Sequence, residues 1–123
     1  MTAPSLWRRI RNTLTRSRRR HVATIDIVPD GFVFSWRKRE RRVLWAEVSR
    51  IDAGIRDYLS FDGLYVVIFA GTKKLELDEL DDGFRQFEAE LFERWPQIRE
   101  PWNKLLGANP HEPQYETLWQ RAA

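Results

Sequence analysis

The 123-residue chain has no cysteine and only two histidines, His21 and His111. Without cysteine there can be no disulfide, no thiolate catalysis and no cysteine-based zinc site, so a metal would need carboxylate ligands. No apolar run approaches the ~20 residues that a membrane-spanning helix needs. The sequence also lacks a glycine-rich phosphate loop and a nucleophile elbow. We therefore expect a protein that is not an enzyme and that binds no cofactor.

The densest acidic run, DELDDG at residues 78–83, superficially resembles a calcium-binding loop. In such a loop the twelfth position carries a bidentate glutamate, but counting from Asp78 that position is Ala89. The run precedes an amphipathic helical pattern, and acidic side chains stabilise the start of a helix. We therefore predict that Asp81 or Asp82 caps a helix and that the run binds no metal.

The formal net charge of +3 is distributed unevenly. Residues 1–20 contribute +7 and contain no acid, so residues 21–123 carry −4. Within that remainder RKRERR at residues 37–42 contributes +4, which leaves −8 for the other residues. The chain is thus a mildly acidic domain with two basic segments. Its overall basicity does not by itself indicate nucleic-acid binding.

The first basic segment, residues 1–20, has the pattern of a short amphipathic helix with arginines opposite an apolar side. A basic helix with tryptophan at its apolar edge is typical of a helix that lies on a membrane surface. The candidate membrane-surface residues are Trp7, Arg8, Arg9, Ile10, Arg11 and Leu14. The same residues also fit an irregular basic tail, a helix packed on the domain, contact with a phosphate backbone, or an organellar presequence.

Between residues 21 and 78 the apolar residues recur mainly with a period of two, as in β-strands. VATIDIV and FVFSW flank a turn at Pro29, Asp30 and Gly31. A bend or bulge is expected near residues 47–50. LYVVIFA is apolar on both faces, which predicts a central strand, whereas KKLELDEL alternates like an edge strand. The sequence predicts an antiparallel meander of six or seven short strands.

Residues 78–96 read as the one well-formed helix of the domain. Phe84, Phe87, Leu91 and Trp95 form an apolar stripe at helical spacing, and Pro96 ends it. We predict that these four side chains are buried.

The chain after Pro96 is proline-punctuated. Pro101 suits the first turn of a short helix in which Trp102, Leu105 and Leu106 share a face, and which Gly107 would end. A last apolar cluster at Tyr115, Leu118 and Trp119 is expected to pack on the domain.

This order of elements resembles a pleckstrin-homology (PH)-like domain, in particular the bacterial PH-like and GRAM-like proteins. The resemblance covers about residues 21–96. It rests on the opening hairpin with Asp30 and Gly31, on VLW (43–45) running into EVSRI (47–51), and on the strand LELDEL leading into a closing helix. It implies an α+β, mostly β fold, in which an antiparallel barrel of six or seven short strands is closed by a C-terminal amphipathic helix. Residues 1–20 and 97–123 would be a basic N-terminal segment and a short proline-rich tail that packs on the domain.

The resemblance implies a non-catalytic module that binds lipids, peptides or protein surfaces. The loop that is basic in phosphoinositide-binding members is here residues 28–31, acidic and short, so that mode is not expected. The candidate site for an anionic partner is the next loop, with Arg37, Lys38, Arg39, Arg41 and Arg42. Arginines there could contact phosphate or acidic side chains in bidentate fashion. The alternative is a solvated hairpin tip that discourages edge pairing.

We expect a cytoplasmic interaction module whose partner is a protein or an anionic lipid surface. Residues 1–20 suggest peripheral attachment to the inner face of the membrane. One alternative is a dedicated partner-binding protein of the immunity type that uses its acidic surface. Another is weak nucleic-acid association through the two basic segments, which the −8 of the remaining residues disfavours.

Overall fold

The structure, a computed structural model, describes residues 22–57, 62–107 and 114–122. Seven strands and two α-helices lie in these ranges. The strands are β1 (Thr24–Val28), β2 (Gly31–Trp36), β3 (Arg39–Leu44), β4 (Val48–Asp57), β5 (Asp62–Ala70), β6 (Lys73–Asp78) and β7 (Gln114–Gln120). The helices are α1 (Phe84–Arg94) and α2 (Arg99–Leu106). The α+β, mostly β class predicted from the sequence is confirmed.

The first sheet is an antiparallel meander in the order β1-β2-β3. Alternation along its strands directs Ile25, Phe32 and Val43 into the core, where each is almost fully buried. Gly31 comes directly after the first turn, and its backbone lies very close to β3. A Cβ at this position would overlap the carbonyl oxygen of Val43. The turn at Pro29 and Asp30 thus brings two backbones together at a position that requires glycine.

A short 3₁₀ turn, Trp45–Glu47, connects the first sheet to the second. The backbone N–H of Trp45 donates to the carbonyl oxygen of Asp30 over 3.0 Å. The carboxylate of Glu47 accepts a hydrogen bond from the backbone N–H of Leu44 over 3.1 Å. Residues 43–51 therefore turn the chain from one sheet into the other, and Trp45 belongs to the turn and not to β3.

The second sheet has the order β6-β5-β4-β7, with antiparallel pairing throughout. β5 is an inner strand that is buried on both faces, with Val66 and Ile68 in the core and Val67 on the other side. β6 is an edge strand, as predicted. The pairing of β4 with β5 is irregular between Val48 and Arg50, where the sequence predicted a bulge.

The expected closed barrel is not formed, because in the described ranges the strands pair as two separate sheets. The outer edge of β1 is occupied by the turn that precedes α1. The N–H of Ile25 donates to the carbonyl oxygen of Asp82 over 2.7 Å, and the N–H of Asp82 donates to that of Ala23 over 3.0 Å. These hydrogen bonds use the backbone groups that a strand of the second sheet would need.

The helix α1 is shorter than the predicted 78–96, and the predicted acidic cap is wrong. Its N-cap is Gly83, with a φ of 90° and no side-chain cap. The carboxylate of Asp81 accepts instead from the backbone N–H groups of Ala23 and Asp78, at 3.2 and 2.9 Å. Asp81 thus satisfies backbone donors at the end of β6 and just before β1 and does not cap the helix.

The apolar stripe of α1 packs over the core. Phe84, Phe87 and Leu91 are buried, as predicted. Trp95 lies just after the helix and is only half-buried, with its ring 6.0 Å from that of Trp45.

The tail contributes a helix and a strand. α2 ends before Gly107, as predicted, and buries Trp102 and Leu105 but leaves Leu106 exposed. β7 pairs with β4 along the edge of the second sheet, a strand that the sequence did not predict. The ring of Trp119 lies 5.2 Å from that of Trp95, so the end of β7 also packs against the segment that follows α1.

Candidate functional site

The basic residues predicted as a candidate site lie together at the end of the β2–β3 hairpin. We call residues 37–42 the basic hairpin. Arg37 and Lys38 form its turn, and Arg37 has a φ of 59°, a region that residues other than glycine seldom adopt. The guanidinium of Arg37 lies 4.7 Å over the ring centre of Trp36. All five predicted residues, Arg37, Lys38, Arg39, Arg41 and Arg42, are exposed.

The strand register gives the basic hairpin two different faces. Trp36 is opposite Arg39 and Phe34 is opposite Arg41. Residues directly opposite each other in an antiparallel pair share a face. One face of the first sheet therefore runs outward from the core, through half-buried Phe34, to an exposed tryptophan flanked by two arginines. We call Phe34, Trp36, Arg39 and Arg41 the aromatic–arginine face.

The ion pairing of the basic hairpin is incomplete. Arg42 pairs with Asp30 at 3.3 Å. Among the residues that the structure describes, no acidic side chain pairs with Lys38, Arg39 or Arg41. Within the described residues, acidic side chains therefore neutralise Arg42 but not Lys38, Arg39 or Arg41.

The predicted membrane-surface residues, Trp7, Arg8, Arg9, Ile10, Arg11 and Leu14, lie outside the described ranges. The described chain begins at Val22 and enters β1, where Thr24 pairs with Ser35. This is the end of the first sheet that carries Trp36 and the basic hairpin. Residue 20 is two residues from Val22, which limits its distance to about 7 Å. Residues 1–20 therefore join the described chain at the same end of the first sheet as the basic hairpin.

A different cluster, which the sequence did not predict, surrounds Asp52 on the outer face of the second sheet. Asp52 has no accessible surface and is the one buried charged residue of the described ranges. The guanidinium of Arg50 donates to both its carboxylate oxygens, from Nε at 2.9 Å and from Nη2 at 2.8 Å. The hydroxyl of Tyr115 and the side chain of Thr117 also bond to it. β4 supplies the ion pair, and β7 supplies the two hydroxyl groups.

The electrostatics of this cluster are those of a fully satisfied carboxylate. Burial alone would raise the pKa of Asp52, but the hydrogen bonds from Arg50, Tyr115 and Thr117 outweigh it and hold that pKa below its ordinary value. Burial and the adjacent carboxylate raise the pKa of Tyr115 to about 12. Asp52 therefore stays ionised and Tyr115 stays neutral at physiological pH, which suits a structural contact between β4 and β7.

The rest of the outer face is also internally paired. The ring of Tyr65 covers Gly54, where a Cβ would overlap it, and Arg56 lies 3.9 Å over that ring while it pairs with Glu76. The ring of Phe69 lies near the cations of Arg50 and Lys74, at 4.8 and 5.6 Å. Alternation in RIDAGIR could have shown that Arg50, Asp52 and Arg56 share a face. Nothing local could have indicated Tyr115, which lies 63 residues further along the chain.

Neither region has the geometry of a metal site, since no group of three potential ligands occurs within the described ranges. None of the helices described is long and apolar enough to cross a bilayer. Comparisons of the chain with protein-family models, with curated proteins and with solved structures found no match.

Proposed function

We propose that the protein is a non-catalytic, PH-like interaction module that attaches peripherally to an anionic membrane surface through its basic N-terminal segment. The observation that carries this proposal is the position of Val22. The chain leads from residues 1–20 into the end of the first sheet where Lys38, Arg39 and Arg41 lack acidic partners in the described ranges. The first basic segment is therefore attached to the chain at the end of the first sheet that carries the second one.

The PH-like part of the proposal is supported by the order of the elements. An opening three-stranded meander passes through a tryptophan-containing corner into a second antiparallel sheet, and a helix with an apolar stripe then covers the core. A scaffold of this kind leaves loops and sheet ends available for binding. The mechanism proposed is electrostatic adsorption and involves no chemical step.

The strength of such attachment can be bounded. Each arginine or lysine near the anionic cytoplasmic leaflet contributes about 1 kcal/mol, and the attraction falls off within a Debye length of about 8–10 Å. Seven arginines in residues 1–20, together with the exposed cations of the basic hairpin, are enough for reversible binding that weakens with salt. We therefore propose that the protein is located at the inner face of the cytoplasmic membrane.

The experiment is co-sedimentation of the full-length chain with phosphatidylcholine vesicles, with and without phosphatidylglycerol. We expect binding only to the anionic vesicles, with release as salt is raised. Reversing Arg8, Arg9 and Arg11 to glutamate in the full chain should greatly reduce it. Lys104→Glu, at an exposed cation of α2, is the control and should bind like the wild type. A wild-type chain that stays in the supernatant with anionic vesicles at low salt would refute the proposal.

A further inference from the structure

The aromatic–arginine face contains a feature that charge alone does not explain. Trp36 is 39% exposed, although it ends a strand whose earlier residues on the same face are buried or half-buried. In the described ranges the large exposed apolar residues are Val22, Trp36, Leu106 and Tyr115. The position of the Tyr115 side chain is explained by its hydrogen bond to Asp52. Val22 and Trp36 both lie at the basic end of the first sheet.

A hairpin tip that only prevents edge pairing needs charged residues and has no need of tryptophan. Tryptophan is instead enriched where a protein meets the interface of a bilayer, because its ring is apolar and its N–H can still be hydrated. Arginine is the complementary residue, since its guanidinium binds phosphate while its stem covers apolar surface. The register places both types side by side, Trp36 opposite Arg39 and Phe34 opposite Arg41.

We infer that the aromatic–arginine face lies directly against an anionic bilayer, with Trp36 in the headgroup region and Arg39 and Arg41 on lipid phosphates. This inference rests on the proposed function and adds the contact surface and its orientation. Trp36, Arg37, Lys38 and Arg39 line one open concavity, so a phosphate there would lie beside an aromatic ring and close to Lys38 and Arg39. A bilayer fits better than a soluble anion because it also supplies apolar surroundings for the ring.

The test measures partition of the full-length chain onto phosphatidylcholine vesicles that contain phosphatidylglycerol. Trp36→Ala should weaken partition about tenfold, because the bilayer can then no longer bury part of one large aromatic side chain. Leu106→Ala removes a similarly exposed apolar side chain from α2 and should leave partition unchanged. Arg39→Glu with Arg41→Glu should weaken partition by about tenfold or more at low salt. Lys104→Glu is the control for the charge reversals and should leave partition unchanged.

Salt separates the two contributions. The effect of the two arginine reversals should shrink as salt is raised, because it is electrostatic. The ratio between wild type and Trp36→Ala should persist, because the transfer of the ring is not screened. Brominated phosphatidylcholine in the anionic vesicles should quench more tryptophan fluorescence in the wild type than in Trp36→Phe. This last variant keeps an aromatic ring at the exposed position and provides a readout even if Trp36→Ala does not fold.

The outcomes distinguish this inference from the proposed function. If the arginine reversals at residues 8, 9 and 11 abolish binding while all variants of Trp36, Arg39 and Arg41 bind normally, the inference is wrong and the proposed function stands. If the wild type does not bind anionic vesicles, both are wrong. Displacement from vesicles by inorganic phosphate at matched ionic strength, together with equal quenching in wild type and Trp36→Phe, would identify a soluble-anion site and overturn the bilayer contact.

Discussion

Two arginine-rich regions of this molecule use the same residue type in opposite ways. On the outer face of the second sheet, Arg50 and Arg56 each pair with a carboxylate and each lie over an aromatic ring. In the basic hairpin, Arg39 and Arg41 lack an acidic partner within the described residues. Inner positions of a four-stranded sheet have cross-strand neighbours on both sides, whereas a hairpin tip extends beyond its neighbours. Paired arginines here stabilise the fold, and unpaired ones are available to a partner.

The largest effect that this comparison predicts is at Asp52. Asp52→Ala removes the carboxylate to which Arg50, Tyr115 and Thr117 all bond. We expect the free energy of unfolding to fall by about 3 kcal/mol, toward the lower end for a broken buried pair because Arg50 is partly exposed and can be hydrated.

Urea denaturation followed by circular dichroism measures this change. Asp26→Ala is the matched control, an exposed aspartate on β1, and should change stability by no more than about 0.5 kcal/mol. Equal losses for the two variants would mean that the Asp52 cluster is no more structural than any surface charge.

A smaller loss in the free energy of unfolding is expected when only the hydroxyl group of Tyr115 is removed. Tyr115→Phe keeps the ring, which lies 6.3 Å from that of Tyr65, but deletes the donor to Asp52. The cost should be about 1–2 kcal/mol, reduced by solvent screening because Tyr115 is half exposed. Tyr65→Phe is the control, since the hydroxyl of Tyr65 makes no side-chain hydrogen bond in the described ranges. A cost for Tyr65→Phe as large as that for Tyr115→Phe would remove the special role of β7 in the cluster.

The loss of stability at alkaline pH should also depend on the hydrogen bond between Tyr115 and Asp52. The pKa of Tyr115 is raised from its ordinary value of 10.0 to about 12 in the fold, so its contribution is fully present below pH 10 and is lost as pH rises to about 12. We expect the wild type to lose more stability across this interval than Tyr115→Phe does. Thermal melting at a series of alkaline pH values measures the difference. Parallel curves for the two proteins would contradict the assigned hydrogen bond.

Period-two alternation was sufficient to predict β4 and the side chains that it directs into the core, and a run that is apolar on both faces was sufficient to predict β5. Alternation failed for β7, because an irregularity opposite Ile51 and Asp52 interrupts the alternation of that strand and its outward residues Tyr115 and Thr117 are polar. The start of α1 was also mispredicted. An aspartate next to a helix can accept hydrogen bonds from the helix or from the preceding turn, and only the approach of β1 selects the turn.

The two arginine-rich regions also differ in how far the sequence describes them. The basic hairpin is a continuous stretch, so its charge and exposure follow from local pattern. The Asp52 cluster joins residues 50 to 117 through pairing of β4 with β7, which is a long-range contact that has no local signature. That Trp36 and Arg39 share a face is intermediate in predictability, because it depends on the register of a single hairpin.

The smallest expected effect is the one that most sharpens the comparison. Combining Lys38→Ala, Arg39→Ala and Arg41→Ala removes three cations that have no acidic partner in the described part of the chain. We expect the free energy of unfolding to stay within about 0.5 kcal/mol of the wild type, or to rise slightly at low salt because mutual repulsion at the tip is relieved. Urea denaturation at low and high salt measures both values. A loss of more than about 1 kcal/mol would show that these cations stabilise the fold as Arg50 does, and the distinction between paired and available arginines would no longer hold.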